Sequence, residues 1–128
     1  MAMGSNKLSF VLENYLEAIY ELSNAESGTG ARLTDVARRL SVTKATANSA
    51  MASLSEKGFV ENGRYQQIHL TPEGAKMAES VAEKHKTIQK FFTDVLLIDD
   101  AAASADACVI EHVISERAVE AMRRYLAR

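Results

Sequence analysis

The chain has 128 residues, of which 47% are apolar and 25% charged, with a net charge of −2. That is enough for one or two small domains with a core of their own, and it excludes a disordered chain. One cysteine excludes an internal disulfide framework and fits a reducing cytoplasm; no apolar run reaches the roughly 20 residues of a bilayer span, and no secretory pattern opens the sequence.

Ser9 is placed to cap a first helix from Phe10 to Leu22, where Val11, Leu12, Tyr15, Leu16, Ile19 and Leu22 recur at helical spacing. Ser23 to Gly30 is small and polar and reads as a loop. Thr34 is the expected cap of a second helix, with Val36, Ala37 and Leu40 inward. After a break at Ser41 and Val42, Thr43 caps a third helix running to Lys57, and Gly58 ends it. Ala47, Ala50 or Met51, and Leu54 form its inner side.

Two β-prone pieces, Phe59–Glu61 and Gln66–Leu70, flank Asn62-Gly63, which predicts a hairpin turning on that dipeptide. Thr71-Pro72-Glu73 then starts a long helix reaching about Val95. Asp99-Asp100 begins another through Ile114, and Ser115 caps a last one ending near Leu126. Pro72 is the only proline, and the domain boundary is placed there, giving residues 1–71 and 72–128.

Two short helices with a tight turn, followed by a hairpin, predict a winged helix-turn-helix whose second helix enters the major groove of double-stranded DNA. Its outward residues are Thr43, Lys44, Ala45, Thr46, Asn48, Ser49 and Ala52. Asn48 and Ser49 can bond base edges and Ala45 can touch a thymine methyl. Lys44, Arg39 and Arg64 suit phosphates, which set register. No arginine stands on the reading face, so shape and two-fold symmetry should carry much of the specificity. Basic residues outnumber acids between Arg32 and Arg64, although a solvated mixed surface would read the same way. A three-helix unit that binds protein is the alternative at this point.

Cys108, Glu111 and His112 stand at i, i+3 and i+4 and offer sulfur, oxygen and nitrogen from one helix face. A buried cysteine beside a surface acid and histidine is the plainer alternative. Asn14 and Glu17 are i, i+3 neighbours on the first helix, and His85 lies on the long one. Such donors suit Fe²⁺, Mn²⁺, Co²⁺ or Ni²⁺ better than Ca²⁺ or Mg²⁺, and Zn²⁺ would also bind. A metal-independent winged-helix regulator sensing redox state through Cys108 is a rival reading. A metalloenzyme is disfavoured, because no substrate-binding loop is evident.

The stretch Glu13-Asn14-Tyr15-Leu16-Glu17-Ala18-Ile19-Tyr20-Glu21-Leu22, then Glu56-Lys57-Gly58-Phe59-Val60, Leu70-Thr71-Pro72-Glu73-Gly74 and Cys108 to Ser115 resemble the diphtheria toxin repressor family. The resemblance runs from about Phe10 to Leu126. It implies a mainly α protein: an N-terminal winged helix-turn-helix and a C-terminal helical dimerisation domain, as in short members without an SH3-like domain. It also implies a metal-activated repressor of iron or manganese homeostasis, acting as a cytoplasmic homodimer on a palindromic operator, neither enzyme nor membrane protein.

Carried over by position, the resemblance makes Asn14, Cys108, Glu111 and His112 the activating metal site, with Glu17 and His85 as further ligands. The set is a hybrid. Cys108 is iron-like, Glu17 is manganese-like and Asn14 is neither. Gln89 and Ser104 stand where iron-type members carry Glu and His. The thiolate tilts the expectation slightly to Fe²⁺ over Mn²⁺, with Zn²⁺, Co²⁺ or Ni²⁺ able to substitute. Phe91, Phe92, Val95, Leu96, Val109, Val113, Val119, Met122 and Leu126 exceed what one small helical layer needs, which fits a dimer.

Overall fold

A computed structural model describes residues 8–25, 30–63 and 67–128. Arg64, expected at the DNA interface, lies outside the described residues. The chain divides into two compact units, Met1–Glu79 and Ser80–Arg128.

In the first unit, α1 (Phe10–Ala25) starts on Ser9, whose hydroxyl accepts the Leu12 amide at 3.2 Å. Its buried stripe, Tyr15, Leu16 and Ile19, joins the core made with Val36 of α2 (Leu33–Leu40) and Ala47, Met51 and Leu54 of α3 (Lys44–Glu56). Burial pushes the Tyr15 hydroxyl above its ordinary range, so it stays neutral inside the core. Thr43 caps α3 as expected, accepting the Thr46 amide at 3.1 Å. Gly58, at φ +84, follows the C-cap Lys57 and takes the left-handed conformation that a helix end commonly requires.

Thr34 does not cap α2. The helix begins two residues earlier, with Arg32 at its N-cap and no side-chain cap bond. The reason is tertiary: Ala31 and Arg32 form a short strand, β1 (Ala31–Arg32), paired antiparallel to β3 (Gln67–Leu70). That pairing fixes the extended backbone from which α2 springs.

The small sheet has the order β1-β3-β2, with β2 (Val60–Asn62) on the other side of β3. Its register also corrects the predicted turn. Asn62 is a strand residue opposite Ile68, and the Gly63 amide donates to the Gln67 carbonyl at 2.7 Å. The connection therefore runs through residues 64–66, outside the described residues, and not through Asn62-Gly63. Val60 and Ile68 point into the core.

The helix α4 (Pro72–Asp94) carries the chain from one unit to the next, close to the predicted length. Thr71 starts it: its hydroxyl accepts the Gly74 amide at 3.0 Å and donates to the Gly58 carbonyl at 2.6 Å. No helix among the described residues is long and apolar enough to cross a membrane.

In the second unit, Asp99 caps α5 (Asp100–Ile110) by accepting the Ala102 amide at 3.0 Å. Ser115 caps α6 (Glu116–Leu126) through the Ala118 amide at 3.1 Å. The helix predicted to reach Ile114 stops at Ile110. Its hydrogen bonds tighten at the end, with His112 N to Val109 O at 3.3 Å and Val113 N to Ile110 O at 3.0 Å. Such i to i−3 bonds are a common way for a helix to finish. Val81, Ile88, Ala103, Ala107 and Val119 are buried, whereas Leu96, Val109 and Val113 are exposed.

Candidate metal centre and nucleic-acid interface

On α3 the expected reading residues Thr43, Lys44, Ala45, Thr46, Asn48 and Ser49 are all exposed, while Ala47, Met51 and Leu54 are buried. The helical period thus separates a core edge from a free edge. Thr46 also receives a hydrogen bond from the Thr43 hydroxyl at 2.8 Å, so this pair is partly committed to the helix start. Arg39 is ion-paired with Glu21 of α1. Both side chains are exposed, so the pair is worth only about 0–1 kcal/mol.

The structure adds a feature missed by sequence reasoning. A cleft of about 260 Å³ is lined by Asn48 of α3 together with Leu33, Asn62, Gly63 and Ile68. A second, of about 330 Å³, is lined by Leu33, Lys44, Ala45 and Asn48. The hairpin and α3 therefore share a groove, and Asn62 belongs to that surface. The sequence signal was present but was spent on a turn.

The metal-ligating candidates fall in both units. Asn14 and Glu17 are half-buried on α1 in the first. His85, Cys108, Glu111 and His112 lie in the second, His85 on α4 and Cys108 on α5. Glu111 is the C-cap of α5 and His112 follows in the turn, so the three expected to share one helix face do not lie on one continuous helix. Their exposure also reverses the plainer alternative: Cys108 is exposed, while Glu111 and His112 are buried.

Within this second unit Glu111 is the centre. One carboxylate oxygen, Oε1, lies 2.8 Å from Nδ1 of His85, and the other, Oε2, lies 3.2 Å from Nε2 of His112. The Glu111 and His112 side chains have no solvent exposure, and His85 has 21%. An isolated carboxylate is costly in such a place unless it is paired or coordinated. Two imidazole nitrogens and a carboxylate converging away from water form a donor set that fits a divalent first-row cation.

The polar positions around it are already engaged. Ser104 Oγ lies 3.5 Å from His85 Nε2, and Gln89 donates to Asp100 Oδ1 at 2.9 Å.

Comparison with known proteins finds two family matches along the chain. Residues 7–68 match "Iron dependent repressor, N-terminal DNA binding domain", and residues 71–128 match "Iron dependent repressor, metal binding and dimerisation domain". An HTH-type transcriptional regulator of Methanocaldococcus jannaschii is 31% identical over 121 residues, covering 94% of this chain and 96% of that protein. The diphtheria toxin repressor of Corynebacterium glutamicum is 32% identical over 104 residues, covering 81% of this chain and 45% of the repressor. The structure of the manganese regulator SloR superposes with a TM-score of 0.78 at 27% identity, covering 91% of this chain and 53% of that one. The chain thus spans about half the length of the last two. With a winged helix-turn-helix ahead of a helical unit whose buried carboxylate is flanked by imidazoles, the chain belongs to the iron-dependent repressor family of metal-dependent, DNA-binding transcriptional repressors.

Proposed function

We propose that this protein represses genes of iron or manganese homeostasis, binding a palindromic operator as a homodimer when its metal site is filled. The observation that carries the reading is the buried Glu111 carboxylate held between His85 Nδ1 and His112 Nε2. Asn14, Glu17, His85, Cys108, Glu111 and His112 are the proposed ligands. A bound Fe²⁺ or Mn²⁺ would supply a positive charge that draws these donors together; no redox step is required. The Cys108 thiolate adds a softer donor and tilts the choice slightly to Fe²⁺. Thr43, Lys44, Ala45, Thr46, Asn48 and Ser49, with Arg39 and Arg64, are the proposed DNA contacts.

If Asn14 and Glu17 ligate the same ion, that ion would tie α1, and through its core α3, to the dimerisation unit. In a dimer this fixes two reading helices at a spacing near one turn of DNA, roughly 34 Å, or a multiple of it. Tying shifts the population toward the geometry that fits the operator. A coupling of about 1–3 kcal/mol corresponds to a change of roughly 5–150-fold in DNA affinity.

The experiment is a titration of DNA affinity against Fe²⁺ (anaerobically), Mn²⁺ and Zn²⁺ at fixed salt, on a duplex selected from a random pool by the metal-loaded protein. Affinity should rise with at least one of these ions and fall on chelation. Equal affinity with and without every ion refutes the reading.

A further inference from the structure

The sheet of the first unit carries a histidine with no part in the metal centre. His69 sits on β3, the middle strand, opposite Glu61 of β2. Ile68 beside it is buried, so the pleat turns His69 to the opposite face. Two glycines make room for its ring. A Cβ placed on Gly30, just before β1, would meet His69 Cε1 at 2.7 Å and Nδ1 at 2.8 Å. A Cβ placed on Gly63, just after β2, would meet Nε2 at 2.8 Å and Cδ2 at 2.9 Å. Opposite edges of one imidazole therefore rest on the backbones of the two flanking strands.

Gly30 has a second reason to be glycine, its φ of +88. Gly63 has no positive φ, so its bare backbone serves only the close approach of the ring. Val60 and Ile68 anchor one face of the sheet in the core, and the His69 ring spans the other. Asn62 and Gly63, at the end of β2, line the same cleft as Asn48 of α3.

We propose that His69 is a positioning residue of the DNA interface. Its ring lies as a crossbar over the sheet, resting on Gly30 and Gly63, and sets the angle at which the hairpin meets DNA beside α3. The role needs the ring's flat shape, not its charge. It rests on the DNA-binding reading but not on the metal.

The test is a mutant cycle in the 128-residue chain saturated with Mn²⁺, reading affinity for a fluorescent selected duplex across a salt series. His69→Ala should weaken binding about tenfold, the scale of one good interface contact. It should also flatten the slope of log affinity against log salt by about one, as when a phosphate contact is lost. Gly63→Ala should do the same by displacing the ring, and the double variant should be no worse than His69→Ala alone. His69→Phe should restore binding to within about twofold, well below the cost of a lost contact. Mn²⁺ affinity by calorimetry should be unchanged throughout. Additive losses from Gly63→Ala and His69→Ala, or His69→Phe binding as poorly as His69→Ala, overturn the proposal. If His69→Ala does not fold, Gly63→Ala and His69→Phe decide: full affinity in the first, or a tenfold loss in the second, overturns it. Should the unmodified protein bind no DNA at all, the DNA-binding reading fails rather than the crossbar.

Discussion

Glu111 Oε1 and His85 Nδ1 lie 2.8 Å apart although 26 residues separate them in sequence. The contact joins α4 to the turn after α5 and places a carboxylate where solvent does not reach.

Glu111→Gln keeps the shape and removes the charge. Metal affinity, read by calorimetry with Mn²⁺, should fall by at least about tenfold, the lower end for disturbing a metal's surroundings. Metal-free thermal stability should change little by comparison. An unchanged Mn²⁺ affinity would remove Glu111 from the ligand set.

Filling the site should stabilise the folded chain by mass action. At a free ion concentration 100 times the dissociation constant, the gain is about 2.7 kcal/mol. For a chain of this size that raises Tm by roughly 10 °C. Differential scanning calorimetry with and without chelator measures it. A Tm indifferent to ions known to bind would mean that the unfolded chain holds them equally well.

Cys108→Ser should narrow the metal preference. With Co²⁺ as a spectroscopic stand-in, the sulfur-to-metal charge-transfer absorption should be present in the parent and absent in the variant. Affinity for Zn²⁺ should fall more than affinity for Mn²⁺, because sulfur favours the softer ion. Identical spectra would place Cys108, exposed on α5, outside the coordination sphere.

Asn48→Ala and Lys44→Ala should separate reading from holding. The first should relax discrimination at one base position by about 1–3 kcal/mol. The second should weaken all sequences alike and reduce the salt slope by about one. Competition binding on single-base-substituted duplexes, repeated across salt, distinguishes the two patterns.

Gly74→Ala tests the joint between hairpin and long helix. Gly74 is buried in the first turn of α4, and a Cβ there would run into the Phe59 carbonyl. Backbone must shift to admit it, at a cost of about 1–3 kcal/mol. Tm should drop by several degrees; an unchanged Tm would show that α4 can tilt away freely.

Much of this architecture was legible from local signals. Ser9, Thr43, Asp99 and Ser115 each announce a helix start, and each does cap one. What escaped was made by partners distant in sequence. Ala31–Arg32 is too short to read as a strand without β3 beside it, and its pairing overrode the cap signal at Thr34. Asn62-Gly63 carries the strongest hairpin signal, yet the strands pair through Asn62. At the metal centre, helical spacing grouped Cys108, Glu111 and His112. It could not show that α5 finishes between them, exposing one and burying two. His85 was visible as a donor on the long helix, but its meeting with Glu111, 26 residues away, has no local signature.

The two capped helices of the second unit bear on how an ion would be received. Asp99 and Ser115 close the ends of α5 and α6 with bonds three residues long, and the turn bearing Glu111 and His112 is held by its own backbone bonds between them. These residues lose their conformational freedom when the chain folds, not when a cation arrives. Little of a cation's binding free energy would then be consumed in ordering the cradle.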